Sequence, residues 1–287
     1  DLQADLSDDQ TTGTVKLSWF PSDSTMIYAS YASGFKSGGT NVDRISPAFD
    51  PIFGAETSES YELGVKGEWG PVQLKAAIYD VTYDDFQANT FTGTGFNLQN
   101  AGKLSTEGFE VEMLWRPTDT TEIQINYAHN EGEYDDFTGG TCWDTYVFHT
   151  GVADPGSGGD PDAEVCDRTG FEIPYNPEDR AFVALTQDVE LSSTMSMFIR
   201  GEYSYTSSQF TDGDLDPFTK QDSFEIVNVR LGIHFDNIAS TLTLWGRNIT
   251  DERYFHGSFD QPIGLGRMNS YPAEPATYGV SFVKNFD

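Results

Sequence analysis

The sequence predicts an all-β fold, an antiparallel up-and-down β-barrel that crosses a membrane, and three observations predict it. Apolar and polar residues alternate with period two in about eleven stretches, the signature of strands with one oily face. Tight polar turns and long loops take turns between those stretches, which sorts short connections to one end and long ones to the other. Aromatic residues make up 14% of a chain that is only 37% hydrophobic, as suits strands that are apolar on one side. Greek-key sandwiches do not sort loop length by end this strictly.

The clearest hairpin lies mid-chain, from Asn100 to Tyr134. Phe109, Val111, Met113 and Trp115 share one parity, and Glu110, Glu112 and Arg116 share the other. Pro117 to Thr121 then turns the chain into Ile123, Ile125 and Tyr127. Upstream, a strand over Thr12 to Phe20 carries Val15, Leu17 and Trp19 on one face, and Pro21 to Ser24 turns it into Ile27, Ala29 and Tyr31. An irregular stretch from Lys36 to Ala55 precedes Tyr61, Leu63, Val65 and Trp69, which oppose Glu62, Lys66 and Glu68. Gly70-Pro71 leads into Val72 to Phe86, where Ala76 to Tyr79 is apolar on both parities and the faces stay open. A short loop at Thr92 to Gly95 joins this strand to the central hairpin.

Beyond Tyr134 comes the longest break, Asp135 to Pro174, ordinary for the outer side of a barrel and unusual in a compact soluble domain. Strands resume with Ala181, Val183, Leu185 and Val189, then Met195, Met197 and Ile199 opposite Arg200 and Glu202. A loop from Thr206 to Asp222 leads to Val227, Val229, Leu231, Ile233 and Phe235, alternating with Asn228, Arg230 and His234. Asp236 to Ala239 turns into Leu242 and Leu244, and Asp251 to Ala273 is a long loop again. The last strand, Ala276 to Phe286, carries Tyr278, Val280, Phe282 and Phe286 on one parity.

Charge and cysteines narrow the chemistry. The formal net charge is −30, from 46 acidic and 16 basic residues, so nucleic acid is not an expected partner. Much of the acid lies in loops: Asp135-Asp136, Asp160 to Glu164 and Asp212 to Asp216. Solvated, self-repelling loops are the plain reading, and an entrance that disfavours anions or holds divalent cations is the functional one. Cys142 and Cys166 share one Gly/Asp/Pro-rich loop and predict a disulfide made in an oxidising compartment. No run of apolar residues is long enough for a transmembrane helix, which leaves a barrel open. No secretory leader opens the sequence, which points to a start after processing or part-way through a larger protein.

No catalytic constellation is expected, and hence no enzyme. His129, His149, His234 and His256 are scattered without metal spacing, and His234 shares the parity of Asn228 and Arg230. Glu110 and Glu112 are a carboxylate pair of the kind lumen strands carry without doing acid–base chemistry. Asp212, Asp214 and Asp216 have the opening spacing of a calcium loop, but Pro217 stands where its glycine belongs and Ser223 where its glutamate belongs. Structural calcium there is the one candidate cofactor, and a solvated acidic loop the plainer reading. Asn248-Ile249-Thr250 fits a glycosylation sequon at a strand end. Candidate ligand contacts are the aromatic and basic residues of two loops: Trp143, Tyr146 and His149, with Phe148 beside them, and Phe255, His256, Phe259, Arg267 and Tyr271. Loop-on-loop packing is the alternative use of the same residues.

With these stretches in place, the chain resembles the C-terminal part of the β-barrel of a TonB-dependent outer-membrane receptor. The resemblance rests on Leu17-Ser18-Trp19-Phe20-Pro21 with Tyr28-Ala29-Ser30-Tyr31 and Gly34-Phe35-Lys36-Ser37-Gly38-Gly39, and on Glu59-Ser60-Tyr61-Glu62-Leu63-Gly64-Val65-Lys66. It continues through Asn100-Ala101-Gly102-Lys103, Gly108-Phe109-Glu110-Val111-Glu112, Gly246-Arg247-Asn248-Ile249-Thr250-Asp251-Glu252-Arg253-Tyr254 and the aromatic-ended final strand. Each is weak alone, and together they run nearly the length of the chain in family order.

The resemblance implies a 22-stranded barrel of a Gram-negative outer membrane, enclosing an N-terminal plug and importing a scarce ligand, often a ferric siderophore, with energy from TonB. Residues 1–287 would be one barrel domain, its C-terminal part only. The plug, the remaining strands, TonB acting through the plug, lipid and lipopolysaccharide, and a small-molecule ligand would be the partners. Tyr278, Val280, Phe282 and Phe286 would carry the family's assembly signal, although Asp287 follows where the family ends on an aromatic. A passive porin-like channel and a secreted sugar- or protein-binding β-sandwich are the competing readings.

Two expectations follow for geometry. Trp19, Trp69, Phe109, Met113, Ile125, Val183, Met197, Leu231, Val280 and Phe282 should share the lipid face, with Glu62, Glu112, Arg200 and Arg230 opposite. Met197 should lie near mid-membrane, and loss of Arg200 should cost little. An odd count of strands also predicts an open sheet, since single-chain bacterial barrels have even numbers. The first strand should then start at the outer side, behind an external Asp1 to Gln10, and both edges should await strands from elsewhere.

Overall fold

A computed structural model describes residues 6–41, 50–91, 96–163, 165–261, 264 and 266–286. The expected turn at Thr92 to Gly95, and Asp1 to Asp5, Glu164 and Asp287, lie outside the described residues. Eleven long strands form one sheet in simple sequence order, each antiparallel to the next. They are β1 (Gly13–Ser22), β2 (Thr25–Lys36), β3 (Glu56–Trp69), β4 (Val72–Phe91), β5 (Phe96–Thr118) and β6 (Thr121–Asp136). After a long excursion come β7 (Asp179–Ser192), β8 (Met195–Thr206), β9 (Phe224–Phe235), β10 (Ser240–Arg247) and β11 (Thr277–Lys284). Among the described residues β1 and β11 are the two edges and do not pair with each other, so the sheet is open as expected.

Register carries one face unbroken across the sheet. Trp19 lies opposite Ile27, Ile27 opposite Val65, Val65 opposite Ala76, Ala76 opposite Val111, and Val111 opposite Tyr127. At the far end Ile199 opposes Leu231, Leu231 opposes Leu244, and Leu244 opposes Val280. Directly opposed residues share a face, so the ten residues expected on the lipid side do share one. Exposure on interior strands fits a surface made for hydrocarbon: Ile78, Leu63, Leu185 and Ile199 on that face are each about half open or more. The register also settles Ala76 to Tyr79. Ala76 and Ile78 join the apolar face, whereas Tyr79 points inward, where its hydroxyl donates to Asn130 Oδ1 at 2.8 Å.

The inner face is charged and internally paired. Lys75 meets Glu112 at 2.8 Å and Arg116 meets Glu122 at 2.8 Å. Arg200 donates to Glu202 at 2.7 Å and to Thr186 Oγ1 at 2.9 Å, and Glu202 also faces Arg230 at 4.0 Å. Arg200 is therefore a hub of the inner face, where Glu202 keeps Asn228 at 3.4 Å and Arg230 as further partners. Met197 is the second outward residue of β8 counted from the turn. On β8 the outward residues run Met195, Met197, Ile199, Gly201, Tyr203 and Tyr205, and the tight turn to β7 lies just before Met195. Ile199 is at the middle of that apolar run, and Met197 is nearer the turn end.

The turns at one end are short because their residues fit them. Gly70 takes a φ of 59°, and Pro71 after it is locked at negative φ, the combination a two-residue hairpin of type II′ needs. At the other end the strands run on into folded loops. Gly39–Thr40 pairs with Ile52–Phe53 inside the stretch expected to be irregular. Ala88, Ala101, Leu104, Tyr134 and Phe137 build a small buried core where β4, β5 and β6 extend past the sheet, with Tyr83, Phe86 and Ile173 against it.

Candidate functional site

The three loops after β6, β8 and β10 fold into one interlocked cap. The first is not the structureless excursion its length suggests. Cys142 and Cys166 are bonded at 1.99 Å, with Gly140–Thr141 paired to Val165–Cys166 beside them. Under the disulfide lies an ion pair with both side chains 1% exposed: Arg168 donates to Asp154 at 2.6 and 2.9 Å. Asp154 also accepts from the backbone N–H of Trp143 at 2.9 Å and of Gly156 at 2.8 Å, so both of its oxygens are fully used. Arg168 donates in addition to the Thr141 carbonyl. The bond spans 24 residues, and removing it as the double change Cys142→Ser/Cys166→Ser is expected to loosen the loop by about 3 kcal/mol on the chain-entropy account. Native-state hydrogen exchange over 140–168 checks this; unchanged protection would contradict it.

A one-and-a-half-turn helix, α1 (Thr145–Thr150), carries the first loop onto the other two. The Tyr146 amide donates to Asp216 Oδ2 at 2.7 Å, Thr145 Oγ1 donates to Asp260 Oδ1, and His149 Nε2 donates to the Gly266 carbonyl at 2.7 Å. The second and third loops are joined to each other by the Ser258 amide, 2.9 Å from the Thr211 carbonyl. Phe255–Asp260 and Met268–Pro272 form a hairpin within the third loop.

The expected ligand residues divide between two places. Trp143, Tyr146 and His149 come together, joined by Phe218 of the second loop, which stands 5.1 Å from Tyr146 and 6.1 Å from His149. Phe148 packs edge-on to His149 at 5.2 Å and is 58% exposed. Phe259 and Tyr271 pair with each other at 5.7 Å across the third-loop hairpin. His256 packs on Tyr254, which stacks on Phe224 at 4.0 Å, and Phe255 and Arg267 are exposed. Sequence reasoning missed Phe218, Arg168 and Asp260. Arg168 and Asp154 carry a faint signal, being a cation and an anion that flank one predicted disulfide; Phe218 and Asp260 carry none.

Asp214 and Asp216 of the acidic triplet are buried in the cap. Asp216 caps a 3₁₀ turn at Pro217–Thr219, its Oδ1 accepting from the Phe218 amide at 2.8 Å while Oδ2 holds Tyr146. Asp214 Oδ1 accepts from the Asp216 amide at 3.0 Å. The third member of the cluster is Asp260: single oxygens of Asp214, Asp216 and Asp260 all lie within 4.8 Å of one another. Burial pushes the Asp212 carboxyl up to about 6 and raises Asp214 well above the usual carboxylate range, with their neighbouring carboxylates adding to it. Asp216 and Asp260 are raised by burial as well. Elsewhere His129, Glu178 and Asp179 converge at the rim of β6 and β7, with His129 Nδ1 2.9 Å from Asp179.

Chemically, the described residues of the cap offer aromatic rings, hydroxyls and carboxylates. Residues 2–249 match the family "TonB dependent receptor-like, beta-barrel". The pesticin receptor of Yersinia pestis is 32% identical over 131 residues, which is 45% of this chain and 20% of that protein. The crystal structure of the ferric yersiniabactin uptake receptor FyuA from Yersinia pestis superposes with a TM-score of 0.76 at 20% identity, covering 98% of this chain and 38% of that one. The copper transporter OprC superposes at 0.66 with 15% identity, covering 96% of this chain and 39% of that one. The chain thus spans well under half the length of the relatives it matches.

Proposed function

The chain belongs to the TonB-dependent receptors, as part of their β-barrel in the Gram-negative outer membrane, and on that premise we propose that it forms one wall of an energised uptake channel. In this reading a scarce metal–chelate ligand is captured at the outer cap and passed along the charged inner face. The observation that carries it is the pairing of one continuous apolar face with one charged face, capped at the long-loop end by aromatic residues of interlocked loops. The plug, the remaining strands and TonB are the partners this requires. Trp143, Tyr146 and His149, with Phe218, are the contacts of first choice, and Phe255, His256, Phe259, Arg267 and Tyr271 are the second group. The acid-rich cap suits ligands that are not strongly anionic. FyuA takes up ferric yersiniabactin and OprC transports copper, so a ferric siderophore or copper is the ligand this reading puts first.

Uptake by cells that carry the full-length protein tests this. Radiolabelled ferric chelates and copper are offered under metal limitation, with and without a working TonB. Saturable uptake of one ligand, lost when either the protein or TonB is removed, is expected. Uptake that persists without TonB would favour the passive channel and end the proposal.

A further inference from the structure

The outer rim of β6 and β7 gathers one histidine and three carboxylates on the outward face of the sheet. His129 lies opposite Phe109 on β5 and opposite Asp179 on β7, so His129 and Asp179 share that face. Along β6 the outward residues run Ile123, Ile125, Tyr127, His129 and Glu131, from apolar through aromatic to charged, away from the tight turn. The adjoining strands change in the same way: Ile78 gives way to Asp80 on β4, and Phe109 to Glu107 on β5. The cluster therefore stands beyond the apolar band, at the long-loop end and outside the channel.

The imidazole is aimed by its neighbours. Asp179 Oδ1 lies 2.9 Å from His129 Nδ1, and a carboxylate can only accept, so Nδ1 carries the N–H. The Tyr127 hydroxyl donates to the same oxygen at 2.6 Å and holds it in place. Nε2 is thereby turned toward two more carboxylates, with Glu131 Oε1 at 3.2 Å and Glu178 Oε1 at 3.9 Å. Donor atoms around one tetrahedral zinc, on bonds of about 2.0–2.2 Å, stand about 3.4 Å apart. The two distances from Nε2 bracket that value. A carboxylate on the far nitrogen is also what orients a metal-binding histidine and fixes its tautomer.

Charge at the cluster suits a dication better than a proton. A proton on Nε2 can serve Glu131 but leaves Glu178 beyond hydrogen-bond range. Even a charged His129 leaves two of the three carboxylates uncompensated, because among the described residues no Lys or Arg pairs with Glu131, Glu178 or Asp179. Glu131 and Glu178 also line a cleft of about 520 Å³ whose other ionisable residues are Asp80, Glu107, Glu133 and Glu172, all acidic. A cleft with walls of one sign concentrates counter-ions.

We propose that His129, Glu131 and Glu178 form a binding site for a first-row transition-metal dication of the zinc type, with Asp179 orienting the imidazole. An imidazole nitrogen beside two carboxylates selects such ions over calcium, which takes six to eight oxygen ligands. The site lies on the outward face, apart from the cap aromatics and the charged inner face. It stands on the rim geometry and does not depend on what the channel carries.

Equilibrium dialysis of zinc chloride against the chelator-washed full-length protein in detergent reads the site by stoichiometry. Wild type is expected to bind one more zinc per protein than His129→Gln, and one more than the double variant Glu131→Gln/Glu178→Gln. The two glutamates are 61% and 58% exposed, so the double variant leaves the sheet intact even if His129→Gln disturbs it. Asp179→Asn is expected to keep that zinc with an affinity about tenfold or more weaker, as follows when the carboxylate behind a ligating histidine is lost. Equal zinc stoichiometry in wild type and the double variant would overturn the proposal, and unchanged affinity in Asp179→Asn would overturn the orienting role. Displacement of the zinc by millimolar calcium chloride would also overturn it, since the site would then be one of oxygens alone.

Discussion

Asp154→Ala is expected to destabilise the disulfide lobe by about 3–5 kcal/mol, because it leaves the Arg168 guanidinium charged, buried and unpaired. The change also removes the acceptor for the Trp143 and Gly156 amides. Limited proteolysis of the folded protein checks this: cleavage between 143 and 168 should appear in the variant and be absent from the wild type. The pair itself need not be worth that much. Replacing both partners by apolar residues, as Asp154→Leu/Arg168→Met, should cost far less, since no unpaired charge remains. Equal resistance of Asp154→Ala and wild type would mean that the lobe is held by the disulfide alone.

The second large effect belongs to the lipid face. Ile199→Arg at the middle of the β8 apolar run is expected to cost about 2–4 kcal/mol, as cationic side chains do at the bilayer midplane. Met197→Arg, nearer the turn, should cost less, because the charge is closer to headgroups and water. Equilibrium unfolding from lipid bilayers measures both. A Met197 penalty as large as that of Ile199 would displace the bilayer centre toward the turns, and no penalty at either would remove β8 from the membrane.

Much of the sheet was legible because its rule is local. A side chain two residues on returns to the same face, so Phe109, Val111 and Met113 declare their strand without help from any distant residue. The same rule fails at Ala76 to Tyr79, where an inward tyrosine with a polar tip reads like an outward one. Only the pairing of Tyr79 with Gly108 across the sheet resolves it. Alternation also reports only the face and is silent on height along the strand, so the depth of Met197 is not legible from it. The cap was hardly legible at all. Tyr146 meets Asp216 across 70 residues and Thr145 meets Asp260 across 115, so no spacing pattern announces either contact. The disulfide was within reach, since two cysteines in one loop leave one partner each. The ligand residues were recognisable as aromatic and loop-borne, but their division into two groups depends on the fold of α1 and of the third-loop hairpin.

Cysteine scanning along β8 tests the central claim most directly, with a membrane-impermeant thiol reagent applied to the full-length protein in native outer membranes. Single cysteines at Ser196, Phe198, Arg200 and Glu202 are expected to label, because their side chains face the water-filled interior. Cysteines at Met197 and Ile199 are expected to stay unlabelled until detergent removes the lipid. Labelling without alternation, or labelling confined to the odd positions, would contradict the assignment of lipid and inner faces on which the transport reading rests.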